Sequence, residues 1–370
     1  MYRFRLLISL VIGLFTVSIT LAEPTAQLRL DQINLPEGFR IDIFSNDVRG
    51  ARSMALGDNG TVFVGTRSTG VVYALADING DNIAESRYII ARDLNSPNGV
   101  AFHDGSLYVA EIHRIIRYDN IEARLDNPPR PVVVYDDFPR DGHHGWKYLR
   151  IGADEMLYTP VGVPCDICTT NDPYGAIHRL NLDGSGIEVV ARGIRNTVGF
   201  DWHPETGELW FTDNGNDAMG DTFPPDELNH VTEIGDHFGF PFCLGGYYNE
   251  TRYGARDCSE FVPPAQLLTA HVAALGMRFY TGEMFPEAYL EYVFIAEHGS
   301  RSRSEKVGYR VTMVRVIDGF AISYDTFADG WLQDGQEWGR PVDIMIMPDG
   351  AMLVSDDFAG AIYRISYQAP

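Results

Sequence analysis

The residues best suited to chemistry begin with His143-His144, set between Gly142 and Gly145 in Asp141–Pro164, a stretch that runs into a strand-like segment and ends in a second loop. Histidine is the side chain whose ordinary pKa lets it accept a proton near neutrality, and flanking glycines let backbone and substrate approach it. A general base held on a rigid sheet is the sharp expectation, and a surface loop with two solvated histidines is the bland one. A second candidate is Asp77–Glu85, DINGDNIAE, which sets Asp77, Asn79 and Asp81 at alternate positions around a glycine, as in the first half of an EF-hand loop. A hard cation such as calcium suits those oxygens. The twelfth position is Tyr88 instead of an acid, so a structural calcium site and a plain Asx-rich turn both stand.

The compartment follows from the first residues and the cysteines. Arg3 and Arg5 precede an apolar run from Leu6, and Thr20-Leu21-Ala22 forms a small-residue cleavage site, so residues 1–22 read as a secretory signal peptide and residues 23–370 as the mature domain. A retained anchor is the rival, but Ser9, Thr16, Ser18 and Thr20 interrupt the run, and no stable membrane span is expected after cleavage. A periplasmic or secreted protein meets oxidising conditions, where Cys165 is expected to pair with Cys168 and Cys243 with Cys258. A zinc site built from the two pairs is the alternative. Thr169, not histidine, follows Cys168, so attachment of a c-type haem is not indicated. The formal charge of −22, with no basic cluster interleaved with aromatics, argues against nucleic-acid binding.

The elements that must hold these residues recur. A short apolar strand, a turn with Asp, Asn or Gly, and a second β-rich strand appear at Ser53–Gly65, Gly99–Ala110, Tyr148–Pro160, Val198–Thr212, Met277–Ala296 and Val342–Asp356. A third strand follows several of them, as at Val71–Leu75, Arg114–Tyr118, Ala176–Leu180 and Ala361–Ile365, and Gly38–Ser45 alternates like a half-buried strand. Each unit is too small to bury its own faces, so neighbours must pack in a ring. The expectation is an all-β protein, a single six-bladed β-propeller, with helical turns only at Pro225–Val231 and Pro286–Tyr292. The long gap Asp213–Met277 is expected to be a functional loop braced by a disulfide, and a degenerate seventh blade hidden there is the alternative.

Four segments, His143–Gly152, Gly193–Gly215, Ala270–Tyr280 and Trp338–Gly350, together resemble the soluble sugar dehydrogenases that use pyrroloquinoline quinone (PQQ). The chain is most similar to their sorbosone-dehydrogenase-like, aldose-type branch. The resemblance implies a PQQ- and calcium-dependent oxidoreductase that passes hydride from a sugar to the quinone and then hands electrons to an external acceptor. It implies His144 as the general base and Arg195, with Asn196 beside it, at the quinone carbonyl. The carbonyls of Gly215 and Asn216 are implied as ligands of the cofactor's calcium, and Arg340 as a partner of a cofactor carboxylate. Arg301, Arg303 and Lys306 lie where another cation belongs. His271 stands where the family has a cofactor-contacting threonine, and Ser300 or Arg301 where it has a lysine. His143 replaces the aspartate that precedes the base in the better-known glucose enzymes. Two other readings are a calcium-dependent lactonase, with Asn98, Asn196 and Asp213 as its metal candidates, and a secreted propeller that binds protein or glycan without turnover. The lactonase has no use for Arg195, Arg303 and Arg340.

Overall fold

A computed structural model describes residues 28–369, and the signal-peptide segment 1–22 lies outside the described residues. Six sheets, antiparallel except for one short strand, form the blades of a propeller. Blade 1 runs Ala51–Leu56, Val62–Thr66, Val72–Ala76 and Ser86–Ala91, and blade 2 runs Gly99–His103, Ser106–Ala110, Ile115–Tyr118 and Val132–Tyr135. Blade 3 runs Arg150–Ile151, Met156–Val161, Ala176–Asn181 and Glu188–Arg192, and blade 4 runs Gly199–Trp202, Leu209–Asp213, Glu227–His230 and Gln266–Leu267. Blade 5 runs Ala274–Phe279, Tyr292–Glu297, Arg310–Ile317 and Phe320–Ala328. Blade 6 takes Pro341–Ile346, Met352–Asp356 and Ala361–Tyr367 from one end of the chain and Phe39–Ser45 from the other. Each predicted hairpin supplies the first two strands of one blade.

The core lies between blades. Phe294, Val311 and Phe327 of blade 5 meet Ile344, Val354 and Tyr363 of blade 6, and similar clusters fill the other junctions. Burying both faces of every sheet this way is what a two-strand unit cannot do alone. First strands of neighbouring blades pack around the axis.

The gap after Asp213 hides no seventh blade. It supplies the third and fourth strands of blade 4, and Asp236–His237 joins blade 3 in parallel with its strand Glu188–Arg192. The helical turn expected at Pro225–Val231 is instead a strand, Glu227–His230, paired with Leu209–Asp213. A lone helical turn closes few hydrogen bonds, whereas the ladder satisfies these residues from both sides. The turn near Pro286 is a 3₁₀ helix, Glu287–Glu291. Both expected disulfides, Cys165–Cys168 and Cys243–Cys258, are present. Among the described residues no helix is long and apolar enough to cross a membrane.

Blade 6 closes the ring by pairing Phe39 with Tyr367 and Ile41 with Ile365. The Phe39 ring sits against Phe285 at 4.7 Å, Phe327 at 5.1 Å and Tyr367 at 4.9 Å between centroids. Phe39→Ala is therefore expected to lower the stability of the whole ring by about 3 kcal/mol. Urea unfolding should show this as a lower midpoint at an unchanged slope.

Candidate functional site

Segments that enter the first strand or leave the second in blades 1, 3, 4, 5 and 6 reach the same end of the ring. Together they line an axial cavity of about 560 Å³. Blade 1 contributes Arg52 and Arg67, and the lead into blade 3 contributes His144 and Trp146. Blade 4 adds Arg195, Asn196 and Gly215, and blades 5 and 6 add His271, His298, Arg301, Arg340 and Asp357.

His144 is buried and held at φ 49°, in the left-handed region. It fits there because residue 162 is glycine, where an added Cβ would come within 2.7 Å of the His144 Cβ. Its Nδ1 lies 3.0 Å from the carbonyl oxygen of Val163. A carbonyl only accepts, so Nδ1 carries the proton and Nε2 keeps the lone pair. Burial first, then the positive fields of Arg195 and His143, lower the imidazole to about 3. The imidazole is thus neutral across the physiological range, with the Nε2 lone pair free.

Arg195 is clamped on all sides. The buried carboxylate of Asp213 accepts from the backbone N–H groups of Arg195 and Asn196, each at 2.7 Å, and from the Thr197 hydroxyl at 3.2 Å. The guanidinium donates to the carbonyls of Asn214 at 3.1 Å and Gly215 at 3.0 Å, and to the Asp166 carboxylate at 2.6 Å. Asp166 lies inside the Cys165–Cys168 loop, so that disulfide braces a cavity side chain. A second buried carboxylate, Asp226, ties the loop to blade 5 by accepting from Gly215 N–H at 2.9 Å and Ala274 N–H at 3.3 Å. Burial pushes Asp213 up to about 6 and Asp226 to about 7.

The structure brings His144, Arg195, Asn196, Gly215, His271, Arg301 and Arg340 to one cavity. Asn216 is buried next to Gly215 with neither amide atom partnered. Arg303 and Lys306 stand outside the cavity wall. Arg303 donates to the Ala270 carbonyl at 3.2 Å, and Lys306 pairs with Glu337, which also holds Arg340 at 2.6 Å. Asp77, Asn79 and Asp81 lie apart from the cavity, in the turn between the third and fourth strands of blade 1. There Asp77 and Asp81 have carboxylate oxygens within 4.8 Å of one another and of Glu85, which takes the place expected of a later acid.

Sequence reasoning missed Arg52, Arg67, Trp146, Asp226, His298 and Asp357. The Asp357 carboxylate accepts from Arg52 at 3.0 Å and sits 2.8 Å from His298 Nε2. Although burial opposes it, His298 and Arg52 hold Asp357 well below the usual carboxylate range. Aligning the six repeats in sequence would have flagged three of these, since Arg67, His298 and Asp357 all closely follow a second strand, as Gly215 does.

Comparison with known proteins gives the site its context. Residues 25–365 match the family described as "Domain of unknown function (DUF7133)". An uncharacterized protein of Borreliella burgdorferi is 33% identical over 382 aligned residues, covering 98% of this chain and 97% of that protein. The calcium structure of a Trichoderma reesei enzyme of carbohydrate-active family AA12 superposes with a TM-score of 0.80 at 18% identity, covering 93% of this chain and 99% of that one. The holo form of the PQQ domain of pyranose dehydrogenase from Coprinopsis cinerea superposes with a TM-score of 0.79 at 16% identity, covering 93% and 98%. At these identities the solved structures establish a common fold.

The Asp213 clamp predicts a stability effect. Asp213→Asn keeps the volume but turns an amide N–H₂ toward backbone donors. A loss of about 1–3 kcal/mol is expected in thermal or denaturant unfolding.

Proposed function

We propose that this chain, which belongs to the DUF7133 family, is an exported PQQ- and calcium-dependent dehydrogenase that oxidises a hydroxyl group of a sugar of the aldose type. Within the quinoprotein dehydrogenases it is assigned to the sorbosone-dehydrogenase-like branch. The observation that carries this reading is His144, a buried neutral imidazole of fixed tautomer on the wall of a cavity ringed by guanidinium groups. A hydrolytic site for neutral lactones has no use for such a ring, whereas a cofactor bearing three carboxylates requires one. The two disulfides and the acidic surface charge support an exported enzyme.

The residues present fit the cofactor. Arg340 buries an Nε with no partner, Arg301 adds an exposed guanidinium at the cavity, and Asn216, buried beside Gly215, has an unpartnered side-chain amide. Arg301 and Arg340 would hold the carboxylates, with His271 beside them, and the carbonyls of Gly215 and Asn216 would hold calcium, which favours hard oxygen ligands. When bound, PQQ with calcium supplies a two-electron acceptor for hydride.

This chain's own part is proton handling and orientation. His144 Nε2 takes the hydroxyl proton as the C–H hydride departs, and the imidazolium that results keeps its Nδ1–H on the Val163 carbonyl. The Arg195 guanidinium, held by the Asp166 carboxylate and the Asn214 carbonyl, stabilises negative charge developing at its edge. The substrate loses one hydride and one proton, so a hemiacetal becomes a lactone. Electrons then leave to an external acceptor.

Titration of the protein with PQQ, followed by absorbance, should show binding that depends on calcium and is reversed by chelation. His144→Ala should lower kcat by about 10²–10⁴-fold while the cofactor still binds. Tight PQQ binding without calcium, or lactone hydrolysis without PQQ, would overturn the proposal.

The pH profile offers a separate check. A protonated imidazole cannot accept, so lowering the pKa moves the inactive region toward acid. The kcat/KM profile of the loaded enzyme should therefore lack the break near 6.5 of an ordinary histidine, with its acid limb displaced toward the value of about 3.

A further inference from the structure

The groups assigned above to the cofactor come from blades 4, 5 and 6 and the loops leading into them. The wall built by blade 1 and the lead into blade 3 remains for the substrate, with His144 at the boundary. On that wall the Arg67 guanidinium carbon stacks 3.8 Å from the centroid of the Trp146 ring. The Trp146 ring in turn stands edge-on to His144, with centroids 6.1 Å apart and planes at 81°. One small molecule can therefore touch the base, the indole and the guanidinium together.

Of the other cavity arginines, Arg301 and Arg340 are assigned above to the cofactor, and three have a carboxylate partner within the protein. Arg52 pairs with Asp357 at 3.0 Å, Arg195 with Asp166 at 2.6 Å and Arg340 with Glu337 at 2.6 Å. Among the described residues Arg67 has no carboxylate partner, and its one close contact of this kind is the Trp146 ring. The Trp146 Nε1 beside it is buried with no acceptor. Desolvation first, then Arg52 and Arg301, lower Arg67 to about 10, with Asp357 alone opposing, so the group stays charged at neutral pH in a field that is already positive. A stack that served only to cover Trp146 would not require a charged fork of donors.

We propose that the Arg67–Trp146 wall recognises an anionic group on the substrate, so that the preferred substrate is an acidic sugar in place of a neutral aldose. This inference rests on the sugar-dehydrogenase reading and deepens it. A guanidinium fork matches the two oxygens of a carboxylate or of a phosphate ester, and the indole N–H adds a third donor to a ring or hydroxyl oxygen. With the hydroxyl to be oxidised at His144, the anionic group lies toward Arg67, away from the reacting carbon.

The test uses protein loaded with PQQ and calcium and a dye acceptor. Its substrates are the matched pairs glucose with glucuronate and galactose with galacturonate, together with glucose 6-phosphate. The expected result is a kcat/KM at least tenfold higher for an anionic sugar than for its neutral counterpart. In Arg67→Gln that ratio should fall at least tenfold, mainly through KM, and Arg67→Lys should recover part of it. Preference for the uronates identifies a carboxylate, and preference for the phosphate identifies a phosphate ester. A parent enzyme that favours neutral sugars, or an Arg67→Gln variant whose ratio does not move, overturns the proposal. So does a variant whose only defect is weaker PQQ binding in the absorbance titration, which would place Arg67 on the cofactor. If the loaded protein oxidises no sugar at all, the sugar-dehydrogenase reading fails first and this inference falls with it.

Discussion

The whole molecule depends on closing the ring. Phe39–Ser45 must find Ala361–Tyr367 across nearly the full length of the chain, and the pairing gives blade 6 its fourth strand. The loop-closure entropy for such a contact grows only slowly with length, so a single well-packed strand can offset it. Once closed, the ring leaves no blade free to move independently, because six hydrophobic clusters, one at each junction, are shared between neighbouring blades. The cavity inherits that rigidity. Its side chains stand on the ends of strands, where a shift in one requires a shift in its neighbours.

The axis itself is polar and has to be satisfied from within. Tyr148 from the lead into blade 3 donates to Asp343 of blade 6 at 3.3 Å and accepts from Arg278 of blade 5 at 3.2 Å. Asp343 also accepts from the Met54 N–H of blade 1 at 2.9 Å, and Asp201 of blade 4 accepts from the Phe279 N–H at 2.9 Å. An unpaired member of such a network would cost about 1–3 kcal/mol, so these bonds fix which blade sits beside which. Above them Val198, Leu275 and Val342 pack with Trp146. The indole thus belongs to an apolar cluster on one side and lines the cavity on the other, which ties the proposed recognition wall to the packing of blades 4, 5 and 6.

What was legible in the sequence was what is local. The six hairpins could be read because alternation of apolar and polar residues has a period of two and each turn carries Asp, Asn or Gly. Both disulfides were legible for the same reason, since each falls within one short stretch. The remaining strands of blade 4 were not, because Glu227–His230 owes its conformation to Leu209–Asp213 and not to its own composition. The missed cavity residues fail in a harsher way. Arg52 and Asp357 are 305 residues apart in the chain, and neither has a spacing that announces the other. Arg303 and Lys306 look like cavity cations in sequence, but the loop turns them toward Ala270 and Glu337.

His144 is where local sequence and global fold combine. The family the sequence resembles sets an aspartate before its base, and here His143 stands in that place, exposed, with its ring 4.0 Å from that of His144. The Val163 carbonyl supplies the orientation instead. A carboxylate in that role would both orient the ring and raise its basicity, whereas a carbonyl orients it with far less stabilisation of the imidazolium. Burial first, then Arg195, His143 and Arg67, disfavours the imidazolium, so the imidazole is a weak base. A weak base gains little by removing a hydroxyl proton on its own, so on the proposed reading proton transfer proceeds only as hydride leaves the same carbon. The arrangement trades basicity for an imidazole that stays unprotonated in acid; burial and the neighbouring cations make that exchange, and the Val163 carbonyl, which favours the imidazolium, offsets only part of it.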